Sequence, residues 1–190
     1  MMLRANIPAQ QMLRLPKIVE SDPRGSQLLH SLTTYTQPLW RESGLGIPTA
    51  MLSFELTEAL RNAYASGQVI RSLECAKRRL ASEERGLQMA DRQTGVRRGV
   101  RISRLIILAN DGAERFYRNV ETMLLRHGLR VLAVRLETDA SELGELLFGH
   151  GRIARLVMLE RKQAVGTVLL AMAGSLDQRQ PALKGAANKP

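Results

Sequence analysis

The chain has 190 residues, 44% of them hydrophobic and 24% charged, which excludes general disorder and leaves room for one domain with tails. Aromatic residues are only 4%, so the core must be mostly Leu, Val, Ile, Ala and Met, and binding modes that depend on base–aromatic stacking are disfavoured. The formal net charge of +10 points to a polyanionic partner (RNA, DNA or an anionic membrane), with a basic surface that binds nothing as the alternative.

Residues 1–54 read as an irregular N-terminal extension. Five of the seven prolines fall there: Pro8, Pro16, Pro23, Pro38 and Pro48. The first 19 residues carry Arg4, Arg14 and Lys17 and no acid, a pattern shared by mitochondrial presequences and by disordered basic tails. Tyr35 and Trp40 could dock the extension onto the domain or a partner.

Leu56–Ser66 reads as a helix, with Leu56, Ala59, Leu60 and Ala63 at helical spacing and Gly67 ending it. Gln68–Arg71 is a short strand, and Ser72 can cap a helix through Leu80 or beyond. Residues 81–103 read as a helix extension followed by a flexible basic insertion, with Arg85, Arg92, Arg97, Arg98 and Arg101 and no acid from Arg92 to Asn110. Such a surface can contact phosphates or merely be solvated. Arg104–Ala109 is a buried strand, followed by a helix over Ala113–His127 and a second strand over Leu129–Arg135. A short helix from Ser141 to Phe148, a strand over Ile153–Leu159 and an amphipathic helix over Arg161–Ala173 complete the domain. Residues 174–190 read as a flexible tail.

Alternating strands and helices imply an α/β fold, a three-layer α/β/α sandwich on a small mixed sheet over residues 55–173. Nothing in the sequence is long and apolar enough to span a membrane. Cys75 is the only cysteine, which excludes an intramolecular disulfide and a cysteine-based zinc site. Three histidines, His30, His127 and His150, lack spaced partners for a metal site or a nucleophile–base dyad, and His127 is expected to complement a helix C-terminus as a cation. Asp111, after a strand, either sits at a ligand site or caps the following helix. The glycines match neither a dinucleotide loop nor a P-loop. No enzyme activity, cofactor, metal or small-molecule substrate is expected.

Three segments carry a resemblance. LTEALRNAYASGQVIRSLECAKRRL, RLIILANDGAERFYRNVETMLLRHGLRVLAV and TDASELGELLFGHGRIARLVML are similar to the kink-turn-binding ribosomal protein superfamily, the group of ribosomal protein L-seven-Ae, over about Leu56 to Ala173. Ser72 stands at that family's Gly, Glu74 and Cys75 at its polar pair, and Arg78 at its Lys. Ala109, Asn110 and Asp111 stand at its Ala-x-Asp, while Glu142, Leu143, Gly144 and Gly149 match its Glu-Leu-Gly segment and following glycine. The resemblance implies a non-catalytic RNA-binding protein, a structural component or assembly factor of a ribosome or other ribonucleoprotein. Its partners would be structured RNA, rRNA above all, and neighbouring subunits. With the presequence-like start, the expected compartment is the mitochondrion.

The expected contacts are Arg71, Ser72, Glu74, Lys77 and Arg78 at the helix tip, Arg97, Arg98 and Arg101 on the insertion, and Asp139 and Ser141 before the Glu-Leu-Gly helix. A helix N-terminus offers unpaired N–H groups to phosphate, and polar first-turn side chains can reach splayed bases. The helix tip and the insertion are expected to form one continuous positive face. The alternative is a protein–protein module of a large complex that has lost RNA binding.

Overall fold

The computed structural model describes residues 13–95 and 101–177. The described residues form seven helices and six strands. The helices are α1 (Lys17–Glu20), α2 (Gly25–Thr34), α3 (Phe54–Ala65), α4 (Leu73–Thr94), α5 (Glu114–His127), α6 (Ala140–Phe148) and α7 (Lys162–Asp177). The strands are β1 (Thr36–Pro38), β2 (Gly46–Ala50), β3 (Val69–Arg71), β4 (Arg104–Leu108), β5 (Val131–Leu136) and β6 (Leu156–Leu159), in the order β1-β2-β5-β4-β6-β3. The fold is the expected α/β/α sandwich with a mixed sheet. Strands β2, β5 and β4 run parallel, and β6 is antiparallel to both β4 and β3.

The central strands are apolar except for Arg104 at the start of β4 and Arg135 near the end of β5, because both faces are covered. Along β4, Leu105 and Ile107 join one cluster, with Leu60, Leu143 and Val168. Ile106 and Leu108 join the other, with Ala76, Leu80, Tyr117 and Val120. Helices α1, α2, α3, α6 and α7 therefore line one face, and α4 and α5 the other.

The expected irregular extension over 1–54 does not hold from Lys17 to Ala50. That stretch supplies two helices and two strands, and Leu15, Val19, Leu28 and Leu32 are buried in the larger cluster. Its prolines avoid the positions where a missing N–H would hurt. Pro16 precedes α1, Pro38 ends the edge strand β1, and Pro48 lies just before the residues of β2 that pair with β5. Gly166, a weak point by helix propensity, has a packing reason: a Cβ there would collide with Ile18 of α1. Trp40 docks as expected, onto α5, donating from Nε1 to Glu121 Oε2 at 2.6 Å under the Arg118 guanidinium.

The helix extension expected after Leu80 is present. Helix α4 runs to Thr94, where Gly95 adopts φ 62 and closes it. Arg97 and Arg98 lie outside the described residues. At the far end α7 continues past Ala173, burying Ser175 and Leu176, which were expected to belong to the tail.

Candidate nucleic-acid interface

In this topology β2, β3, β4 and β5 end on the same side of the sheet, so α3, α4, α5 and α6 all begin there. That side is where open α/β sheets hold ligands. Three of these helices are capped: Ser53 Oγ accepts from Leu56 N at 3.2 Å, Ser72 Oγ from Cys75 N at 3.4 Å, and Asp139 Oδ1 from Glu142 N at 2.8 Å.

A web of backbone hydrogen bonds ties these starts together. Ser72 N donates to Leu156 O (3.2 Å), Ala109 N to Arg155 O (3.1 Å), Ala154 N to Ala140 O (2.7 Å) and Asn110 N to Thr138 O (2.9 Å). Asp111 does not cap α5, whose N-cap is Ala113 with no side-chain bond. Instead Asp111 Oδ1 accepts from Ala140 N at 3.0 Å, holding the first residue of α6. Tyr117, on the first turns of α5, locks the same turn by donating to Ala109 O at 2.7 Å. Gly144 explains why the Glu-Leu-Gly segment needs its glycine. A Cβ there would strike the Arg152 carbonyl, so the return loop 149–155 could not lie against α6.

Ser72 is the one described non-glycine residue at positive φ, with φ 81 and ψ 150. That region is almost exclusive to glycine, and an L residue held there costs on the order of 1–3 kcal/mol. The strain therefore falls at the position where the family resemblance has Gly.

Charge divides this end of the sheet. Toward the β3 edge lie Arg71, Arg78, Arg152 and Arg155, all exposed, and none has a carboxylate partner among the described residues. Arg71 Nη2 donates to Ile153 O at 2.7 Å, and its guanidinium lies 4.9 Å from the Phe148 ring centroid. Arg78 donates to Cys75 Sγ at 3.3 Å. The Cys75 thiol is held below its ordinary range, first by its hydrogen bond with Ser72 and then by Arg78. Lys77 pairs with Glu74 at 3.5 Å. The other half of this end is acidic. Glu142 takes the Thr138 hydroxyl, Asp139 is committed to its cap, and Glu55 opens α3 beside the exposed Phe54.

The structure thus brings Arg71, Ser72, Glu74, Lys77 and Arg78 together at one helix tip. It places Asp139 and Ser141 at the same end of the sheet but on its acidic half. Arg101 is elsewhere. It precedes β4, at the opposite end of the sheet, donating to Leu15 O at 2.9 Å and pairing with Glu20. The single continuous face expected from tip and insertion is therefore not formed through Arg101, because β4 separates the strand end beside Ser72 from the strand start beside Arg101. Arg152 and Arg155 escaped the sequence reading. Their signal was weak, two arginines in a glycine-bearing turn, and only the antiparallel return into β6 brings them beside β3.

His127 also departs from expectation. It ends α5 but is only 7% exposed, and burial pushes its pKa below the ordinary histidine value, so the neutral ring is favoured. Among the described residues no three His, Cys, Asp or Glu side chains gather as a metal site, and no helix is long and apolar enough to cross a membrane.

No family model and no curated protein matches the chain. Among solved structures, the Giardia lamblia 15.5kD RNA binding protein is similar at 14% identity and TM-score 0.43, covering 83% of this chain and 98% of that one. A Bacillus halodurans protein of unknown function is similar at 14% identity and TM-score 0.39, covering 65% of this chain and 100% of that one. Likenesses at this level carry no functional information.

Proposed function

We propose that this chain is a non-catalytic RNA-binding protein that holds a folded RNA against the α4 tip and the return loop 149–155. One observation carries the reading: Arg71, Arg78, Arg152 and Arg155 lie exposed and without carboxylate partners among the described residues, beside a capped helix N-terminus. Guanidinium forks match phosphate oxygens bidentately, and the helix N-terminus adds partial positive charge. The strained Ser72 fits a site whose backbone is shaped for something other than its own stability.

The finer form of the proposal is kinship with the kink-turn-binding superfamily and a place in a ribosome or another ribonucleoprotein, as a structural component or assembly factor. It rests on Ser72, Glu74, Cys75 and Arg78 and on Glu142-Leu143-Gly144. The mitochondrial version rests on the acid-poor first 19 residues.

The test is crosslinking in cells followed by sequencing of attached RNA, with the recovered RNA then titrated against salt. Binding should weaken steeply with salt through counterion release. Joint replacement of Arg71 and Arg155 by Gln should lower affinity about tenfold or more. Recovery of no RNA, or full affinity in that double variant, overturns the assignment. A protein partner is the second reading, favoured by Phe54 and Met51, which are 77% and 43% exposed on the acidic half. It predicts association that is insensitive to salt and lost in Phe54→Ser.

A further inference from the structure

Helix α4 is longer than the fold needs. Ala76 and Leu80 are its buried residues, and from Arg85 to Thr94 no side chain is buried. At about 1.5 Å per residue that half adds about 15 Å of solvated helix. A polar helix of that kind is ordinarily stabilised by pairs of opposite charge three or four residues apart.

Glu74, Glu83 and Glu84 do not serve that purpose on the outer face of α4. Glu83 accepts from Arg104 and Arg130 and pairs with Arg79, all on the side facing the fold. Glu84 faces Arg126 and His127 of α5. Glu74 bonds Lys77 rather than Arg78. The outer face is left with Arg78, Arg85 and Arg92, spaced by seven residues, so each is rotated only about 20° from the last. The three form a nearly straight row about 21 Å long. All three are exposed, and none has a carboxylate partner among the described residues. Ser82 and Met89 lie between them on the same stripe, and Gly86 adjoins it with nothing within 4 Å of the Cβ it lacks.

We propose that this row is a track for the phosphate backbone of a double-helical RNA segment, running from the α4 tip outward; it rests on the RNA-binding reading given above. The row begins at Arg78, which belongs to the tip, so one RNA can touch both. Arginine suits phosphate by its planar fork, and Ser82 and Gly86 leave room for a close approach. The stripe has no Trp, Phe or Leu to insert into a bilayer, which argues against a membrane as the occupant. Contacts confined to phosphates would position the RNA without reading its sequence.

Two probes separate the track from the tip: an uninterrupted RNA hairpin duplex of about two turns, and the same hairpin with an asymmetric internal loop. Arg85→Gln with Arg92→Gln should weaken both probes alike, about tenfold near 0.1 M salt, and flatten the log affinity against log salt slope by about 2. Arg71→Gln with Arg155→Gln should penalise the looped probe more. Gln keeps helix propensity close to that of Arg, and circular dichroism verifies that α4 persists. If the first pair leaves affinity and slope unchanged while the second weakens binding, the track is wrong and the tip stands. If the protein binds neither probe, both fall.

Discussion

Asp111, on the turn after β4, accepts a hydrogen bond at 3.0 Å from the backbone N–H of Ala140, the first residue of α6. A side chain from one strand end thus satisfies an orphan donor of a helix that follows a different strand. Asp111→Ala should cost about 1–2 kcal/mol of stability, in the range of a lost cap. Hydrogen exchange should show faster opening of the first turn of α6, while α5 keeps its protection. Equal protection of α6 in the variant would show that this bond does not hold the helix.

Ser72 combines a useful cap with an unfavourable backbone. Ser72→Gly removes a strain on the order of 1–3 kcal/mol and loses only a few tenths from the cap, so the variant should be more stable by about 1 kcal/mol. Ser72→Ala loses the cap and keeps the strain, so it should be less stable by about 1 kcal/mol. Urea midpoints at unchanged slope measure both. A glycine variant no more stable than the parent would contradict the geometry at φ 81.

Gly144→Ala should be among the most damaging single-methyl changes. The added carbon meets backbone, the Arg152 carbonyl, not a flexible side chain. Loop 149–155 must then move off α6, carrying Arg152 and Arg155 with it. A stability loss of about 2 kcal/mol or more is expected from overpacking, together with a measurable fall in RNA affinity. Full RNA affinity in a folded variant would separate the loop from the interface.

Gly166→Ala tests whether the N-terminal stretch belongs to the core. Its Cβ meets Ile18, so the substitution should lower the melting temperature, although Ala is the better helix former. Ile18→Ala in the same chain should return part of the loss. The coupling energy from the double-mutant cycle, expected at 0.5–3 kcal/mol, would be near zero if α1 did not pack on α7.

His127 gives the protein a pH dependence with a definite sign. Burial depresses its folded pKa, which outweighs the pull of Glu84 in the other direction. The unfolded chain, with a pKa of about 6.5, then binds the proton more readily. Stability is fully present above that value and declines as pH falls below it toward the folded pKa. Melting temperatures between pH 8 and pH 5 should therefore drop, and His127→Gln should flatten the part of that drop lying between pH 7 and pH 5. An unchanged profile in His127→Gln would place the titrating group elsewhere.

Short-range periodicity carries one part of this fold. RLIILA, covered on both faces, had to be a central strand. Leu56, Ala59, Leu60 and Ala63 had to face one way on a helix, and Ser72 had to stand at a helix start. The α4 tip, with Arg71, Lys77 and Arg78, was legible for the same reason: its members are neighbours along one chain segment. The tertiary structure alone decided where separate segments meet. It drew the proline-bearing stretch into the sheet and gave Asp111 to α6. It returned Arg152 and Arg155 to the β3 edge while carrying Arg101 to the far end. Those outcomes depend on strand order and direction, β2 beside β5 and β6 antiparallel between β4 and β3. Strand order minimises exposed apolar surface over the whole chain at once, and no local window of residues contains that sum.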